Sequence, residues 1–116
     1  MRVLVCGGRS FADHILLEQT LDRLHAARRF TTVIEGDAAG ADRLAGAWAH
    51  ARGVALKVFQ ADWDGLGAKA GPIRNEQMLI EGRPELVVAF PGRRGTAHMI
   101  RLAQDAGVEV IQIPGD

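Results

Sequence analysis

The stretch Leu86-Val87-Val88-Ala89-Phe90-Pro91-Gly92-Arg93-Arg94-Gly95-Thr96 decides the fold. Its five leading apolar residues do not alternate with polar ones, which reads as a strand buried on both faces. A glycine turn follows, and helical spacing begins at about Gly95, with Met99, Leu102, Ala103 and Ala106 on one face. Strand, glycine turn and helix start form a geometry that holds phosphate, because the first N–H groups of a helix are unpaired and lie at the positive end of its dipole. Glycines let the backbone approach an anion without an intervening Cβ. Near the N-terminus, Gly7-Gly8-Arg9-Ser10 follows Val3-Leu4-Val5-Cys6 in the same way. The two loops are expected to form the two halves of one anion site, with amides of Gly8, Gly95 and Thr96 on the phosphate.

Outward from these loops, strand and helix alternate along the whole chain. Asp13 is placed to cap a helix through about Ala27, with Leu17, Leu21 and Leu24 on its apolar face. Thr31–Glu35 is a short β-branched strand. The loop Gly36 to Asp42 leads into a helix from about Asp42 to Arg52, ended by Gly53. Ala55–Phe59 is the third strand, and Gln60 to Ala70 reads as a long loop carrying Asp62-Trp63-Asp64. A connection of that length is commonly functional or mobile. Pro72 suits the first turn of a helix running to about Glu81. Glu109–Ile113 is the last strand. Five strands and four helices in alternation predict an α/β, Rossmann-like three-layer sandwich around a parallel sheet, formed by residues 1–116 as one domain. The long loop after the third strand favours the strand order 3-2-1-4-5, with 2-1-3-4-5 as the alternative. In the first order the two glycine loops meet where strand order reverses.

Composition narrows the function. The chain has 116 residues, 47% of them hydrophobic, with 14 basic and 14 acidic side chains. Neutral net charge and few aromatics argue against nucleic acid as the partner. Cys6 is the one cysteine, so no intrachain disulfide forms; it reads as a buried small hydrophobe. A cytoplasmic location is expected, because the first strand begins almost at once and no apolar run approaches the ~20 residues of a membrane span. The four histidines lack ligand spacing, so neither a metal nor another cofactor is expected. No Gly-Lys-Ser/Thr follows the first strand, and no Ser-His-Asp or Cys-His order is discernible. Trp48 reads as a core or interface residue. Cations gather at loops and helix starts, at Arg9, Lys69, Arg74, Arg93 and Arg94, beside Asp37, Asp42, Asp62 and Asp64. Cations for phosphate and carboxylates for ribose hydroxyls fit a small nucleotide or ribose-phosphate.

Four motifs in order carry a family resemblance: Gly7-Gly8-Arg9; Gly36-x-Ala38-x-Gly40-Ala41-Asp42; Asp62-Trp63 with Ala70-Gly71-Pro72-x-Arg74-Asn75-x-x-Met78; and Pro91-Gly92-x-x-Gly95-Thr96. Together they resemble the YspA-type, cpYpsA-related branch of the SLOG superfamily, which is distantly similar to the Lonely Guy phosphoribohydrolases. The resemblance implies a Rossmann-like fold, a nucleotide-type ligand and self-association into a homodimer or higher homo-oligomer. Loop position, charge and these motifs together give the expected ligand contacts: Gly7, Gly8, Arg9, Ser10, Gly36, Gly40, Asp42, Trp63, Arg74, Asn75, Pro91, Gly92, Arg93, Arg94, Gly95 and Thr96. Two positions depart from the hydrolase pattern Pro-Gly-Gly-x-Gly-Thr-x-x-Glu: Arg93 replaces a glycine, and Met99 stands at the catalytic glutamate. Methionine cannot transfer a proton. Ligand binding or sensing is therefore the leading expectation. N-glycosidic cleavage of a nucleoside monophosphate, with Asp42, Asp62 or Arg74 as catalytic candidates, is the alternative, and a DNA-binding module is the second.

Overall fold

The computed structural model describes residues 1–115. In chain order the elements are β1 (Arg2–Cys6), α1 (His14–Arg28), β2 (Thr32–Glu35), α2 (Ala41–Arg52), β3 (Ala55–Val58), α3 (Trp63–Leu66), a 3-10 turn (Gly67–Lys69), α4 (Ala70–Gly82), β4 (Leu86–Ala89), α5 (Arg94–Asp105) and β5 (Glu109–Gln112). The strands form one sheet in the order β3-β2-β1-β4-β5, all pairs parallel. The fold is α/β and Rossmann-like, and the order is the favoured one of the two weighed above. The chain leaves β3 at one edge and returns through α3, the 3-10 turn and α4 to reach β4 beside β1.

Successive strand residues point to opposite faces, so β1 and β4 feed two cores. Val3, Val5, Val33, Leu86 and Val88 pack with Leu17, Leu21 and Trp48 under α1 and α2. Leu4, Cys6, Ile34, Val87 and Ala89 pack with Met78, Met99 and Ala103 under α4 and α5. Each fully buried aliphatic side chain contributes about 1.5–3 kcal/mol. This explains why the central strands are unbroken apolar runs. β3 differs: it is an edge strand whose four residues are all exposed.

Local chemistry sets the helix ends. Asp13 caps α1 by accepting from the Leu16 amide at 3.1 Å. Gly53 closes α2 at φ 68°, where a Cβ would be strained. Trp48 is core, and its indole N–H donates to Asp22 at 2.9 Å. α2 starts at Ala41 with Gly40 at the cap (φ 82°), so Asp42 lies in the first turn, where its carboxylate accepts from the Ala38 amide. One expectation is corrected. The long loop contains α3, a single turn capped by Asp62, which accepts from the Gly65 amide at 3.0 Å. One turn is too short to produce a readable period.

Candidate functional site

β1 and β4 are neighbours in register, Cys6 opposite Ala89. The loops that leave their carboxyl ends therefore run side by side at the reversal of strand order. The Gly8 amide donates to the Pro91 carbonyl at 2.8 Å. A Cβ on Gly8 would stand 3.0 Å from that carbonyl, and one on Gly92 would strike the Thr96 hydroxyl. A Cβ on Gly7 would come 2.6 Å from that of Ala41. Glycine is required at these positions for the close approach of the first loop to α2 and of the two loops to each other. The Gly8 amide is consequently spent on the protein, which corrects its expected role on phosphate.

The amides of Arg94, Gly95 and Thr96 are open. α5 has no side-chain cap, and its first turn closes with Ala97 donating to the Arg93 carbonyl. No group among the described residues accepts from the three amides before Ala97. They border a cleft of about 1160 Å3 whose walls are the two glycine loops, α3 with the 3-10 turn, α4 and α5. Pockets for drug-sized ligands run to about 300–1,000 Å3, so a cleft of this size has room for a ligand larger than a single phosphate.

The cleft is cationic although the chain is neutral. Arg9, Arg74, Arg93, Arg94 and Arg101 line it, and Asp42 is the carboxylate in its wall. The ion pairs of the described residues lie elsewhere, for example Arg28–Glu109 and Arg52–Asp22. None of the five cleft arginines has a carboxylate within ion-pair distance among those residues. Arg74 is half-buried: its Nη1 donates to the Gly36 carbonyl and its Nε to Asn75 Oδ1 at 3.1 Å. Burial pulls its pKa down, opposed by Asp42. Burial likewise pushes the Asp42 carboxyl up, opposed by the Ala38 amide and by Arg74. Cys6 touches the cleft floor, but burial, with Asp42 nearby, raises its thiol to about 12, so it is no nucleophile near neutral pH.

Trp63 is 46% exposed at the mouth, its ring against Gly71 and the Arg9 guanidinium 5.0 Å from its centroid. This stack straps α3 to the first loop. Asn75 is buried, and its Nδ2 donates to the Gly95 carbonyl at 3.2 Å while also meeting His98 Nδ1 at 3.1 Å. Its polar atoms are engaged by protein, so it holds the start of α5 against α4.

A model of the YspA, cpYpsA-related SLOG family matches residues 1–65. The "Gene 61 protein" of Mycobacterium phage D29 is 39% identical over 118 residues, covering 95% of this chain and 94% of that protein. The chain belongs to the YspA, cpYpsA-related SLOG family. Among solved structures, DNA processing protein A (DprA) from Streptococcus pneumoniae superposes with a TM-score of 0.79 at 20% identity, over 99% of this chain and 50% of that one. The SLOG fold here thus spans half the length of that protein.

Most residues expected at the site of this SLOG chain meet in the cleft: Gly7, Gly8, Arg9, Ser10, Asp42, Trp63, Arg74, Asn75 and the run Pro91–Thr96. Gly36 and Gly40 do not line it. Gly36 leaves room for Arg74, whose Nη1 would lie 2.6 Å from a Cβ there, and Gly40 lies against the carbonyls of Gly8 and Arg9. Asp62 caps α3 and is likewise outside the lining, which leaves Asp42 and Arg74 of the three catalytic candidates. Asp37 is drawn to Arg43 and Gln60, and Lys69 stands exposed on the 3-10 turn. Sequence reading missed His98 and Arg101 in the wall. Their signal was present as spacing: residues 94, 98 and 101 recur at i, i+4 and i+7.

Among the described residues no three His, Cys, Asp or Glu side chains gather as a metal site, and no helix is long and apolar enough to cross a membrane.

Proposed function

We propose that this protein binds a nucleotide or ribose-phosphate derivative in the cleft, as a ligand-binding or sensing domain. The observation that carries this is the convergence of three open amides at the start of α5 with five arginines that have no ion-pair partner among the described residues. A phosphate at Arg94–Thr96 gains both the amides and the helix dipole. Arg9, Arg74 and Arg94 neutralise it. Asp42 accepts from ribose hydroxyls, and the exposed face of Trp63 takes a base. Binding without turnover is favoured because Met99 is packed in the core under α5, where it offers no proton-transfer group to the cleft.

A panel of nucleotides, ADP-ribose, NAD and ribose-phosphates tests the reading by thermal shift on wild type and Arg94→Ala. A true ligand stabilises by about 2.7 kcal/mol at a hundred times its Kd. The expected result is a concentration-dependent rise with at least one compound, reduced in the variant. A rise unchanged in Arg94→Ala removes phosphate from this helix start.

A second reading draws on Asp42, a buried carboxyl with a raised pKa in the cleft wall. Such a group suits proton transfer during hydrolysis of an N-glycosidic bond. Base release from nucleoside monophosphates, abolished in Asp42→Asn, supports it; no release from any of them excludes it. The fold shared with a DNA processing protein, and the local cation density, keep single-stranded DNA in the test set. A low-salt gel shift decides that arm.

A further inference from the structure

We infer that the cleft has a second anion subsite, formed by Arg101 and His98 one to two turns along α5 from the open amides, and that the ligand carries two non-adjacent anionic groups. The inference rests on the phosphate reading of the α5 start and adds the chemistry of the other end of the ligand. Arg94, His98 and Arg101 share one face of α5, and all three line the cleft. Seven residues of helix rise about 10.5 Å. Side chains lean toward the helix N-terminus, so the Arg101 guanidinium reaches back over the preceding turn. The two anion positions therefore stand roughly 5–10 Å apart. Adjacent phosphates of a diphosphate crowd one anchor; phosphates on the two sides of a ribose serve both.

Arg101 has no ion-pair partner among the described residues. Its neighbour His98 is built into the wall with one tautomer. Arg74 Nε is a donor only, so the Asn75 atom it meets at 3.1 Å is the carbonyl oxygen. The Gly95 carbonyl is an acceptor only, so the Asn75 atom facing it is the amide nitrogen. That nitrogen also faces His98 Nδ1, which must accept. The imidazole proton is thereby confined to Nε2, the ring nitrogen left over for a ligand. A ring N–H of fixed direction, beside a guanidinium with no ion-pair partner among the described residues, is a pairing suited to a phosphate or phosphodiester.

The test compares a nucleoside 5′-monophosphate with the matching 3′,5′-bisphosphate by titration calorimetry, reading the ratio of their Kd values. Wild type is expected to favour the bisphosphate by about ten- to a hundredfold, the worth of hydrogen bonds to a charged group. In Arg101→Ala the ratio falls to within about twofold of unity, and His98→Ala lowers it less, because a single N–H donor is lost and the guanidinium fork remains. Arg101 is exposed, so an unchanged thermal midpoint without ligand certifies the variant's fold. A 5′-phosphorylated dinucleotide run alongside separates the sources. Tighter binding than the bisphosphate identifies a phosphodiester, weaker binding a terminal phosphate, and either supports the subsite provided Arg101→Ala abolishes the preference. No preference in wild type, or one that survives in Arg101→Ala, overturns the subsite and leaves the first phosphate site standing. Absence of binding by every one of these compounds overturns both.

Discussion

Replacing Glu35 by glutamine removes a charge that the fold holds under strain of its own making. Glu35 ends β2, is 3% exposed, and sits against Gly46 of α2. Burial, reinforced by Asp42 and Asp37, raises its pKa from 4.5 to about 7, although the Asp37 amide donates to it. The folded state therefore grips this proton more tightly than the unfolded chain does. Between pH 4.5 and 7 the native state binds more protons, so this group's contribution to stability falls as pH rises. Each pKa unit is 1.36 kcal/mol, which sets an upper bound of about 3 kcal/mol, reached above pH 7 and absent below pH 4.5. Glutamine keeps the shape and an oxygen to accept from Asp37, and it carries no charge. Calorimetric melting of both proteins at pH 4.5, 6 and 8 isolates the effect, since other titrating groups cancel in the difference. Glu35→Gln is expected to gain little at pH 4.5 and roughly 5–10 °C at pH 8, at about 4 °C per kcal/mol for a chain of this size. A difference in Tm that does not change with pH, or one that favours wild type increasingly as pH rises, refutes the reasoning.

Other outcomes follow from single contacts. Gly40→Ala places a side chain at φ 82° against the carbonyls of Gly8 and Arg9, and is expected to cost about 2 kcal/mol or more by urea unfolding. Gly95→Ala meets nothing within 4 Å at an ordinary φ, so the same assay should show neutral or slightly raised stability, by up to about 1 kcal/mol. Asn75→Ala strips Arg74, the Gly95 carbonyl and His98 of a shared partner and should cost about 1–3 kcal/mol while speeding amide exchange at the start of α5. Native protein at pH 8 should resist iodoacetamide at Cys6, with alkylation appearing in denaturant, because the buried thiol stays protonated.

The sheet order was legible because Gln60 to Ala70 is too long for a tight turn and suits a return across the sheet. The meeting of Gly7–Ser10 with Pro91–Thr96 followed from that order alone. Roles inside the site were less visible. A glycine that binds an anion and a glycine that touches another backbone look alike in sequence, so the Gly8 amide was assigned to phosphate when Pro91 takes it. Asp62 and Asp42 are the same residue type, each before or in a first turn, yet one caps α3 and the other faces the cleft. Net charge hides this arrangement: it sums the pairs Arg28–Glu109 and Arg52–Asp22 with five arginines that face the cleft. Arg101 stands two turns inside α5, where a cation in sequence looks like any solvated helix residue.

The hydrogen bond from Gly8 to Pro91 divides the cleft into a part that is fixed and a part that is free to change. The floor is backbone locked to backbone, with no space at positions 7, 8 or 92 for a side chain. Trp63, His98 and Arg101 stand instead on helices, outside that backbone lock. In descendants of this chain ligand preference would change through the walls while the backbone floor stays as it is. Transplanting residues 63, 98 and 101 between relatives should therefore move ligand preference without rebuilding the loops.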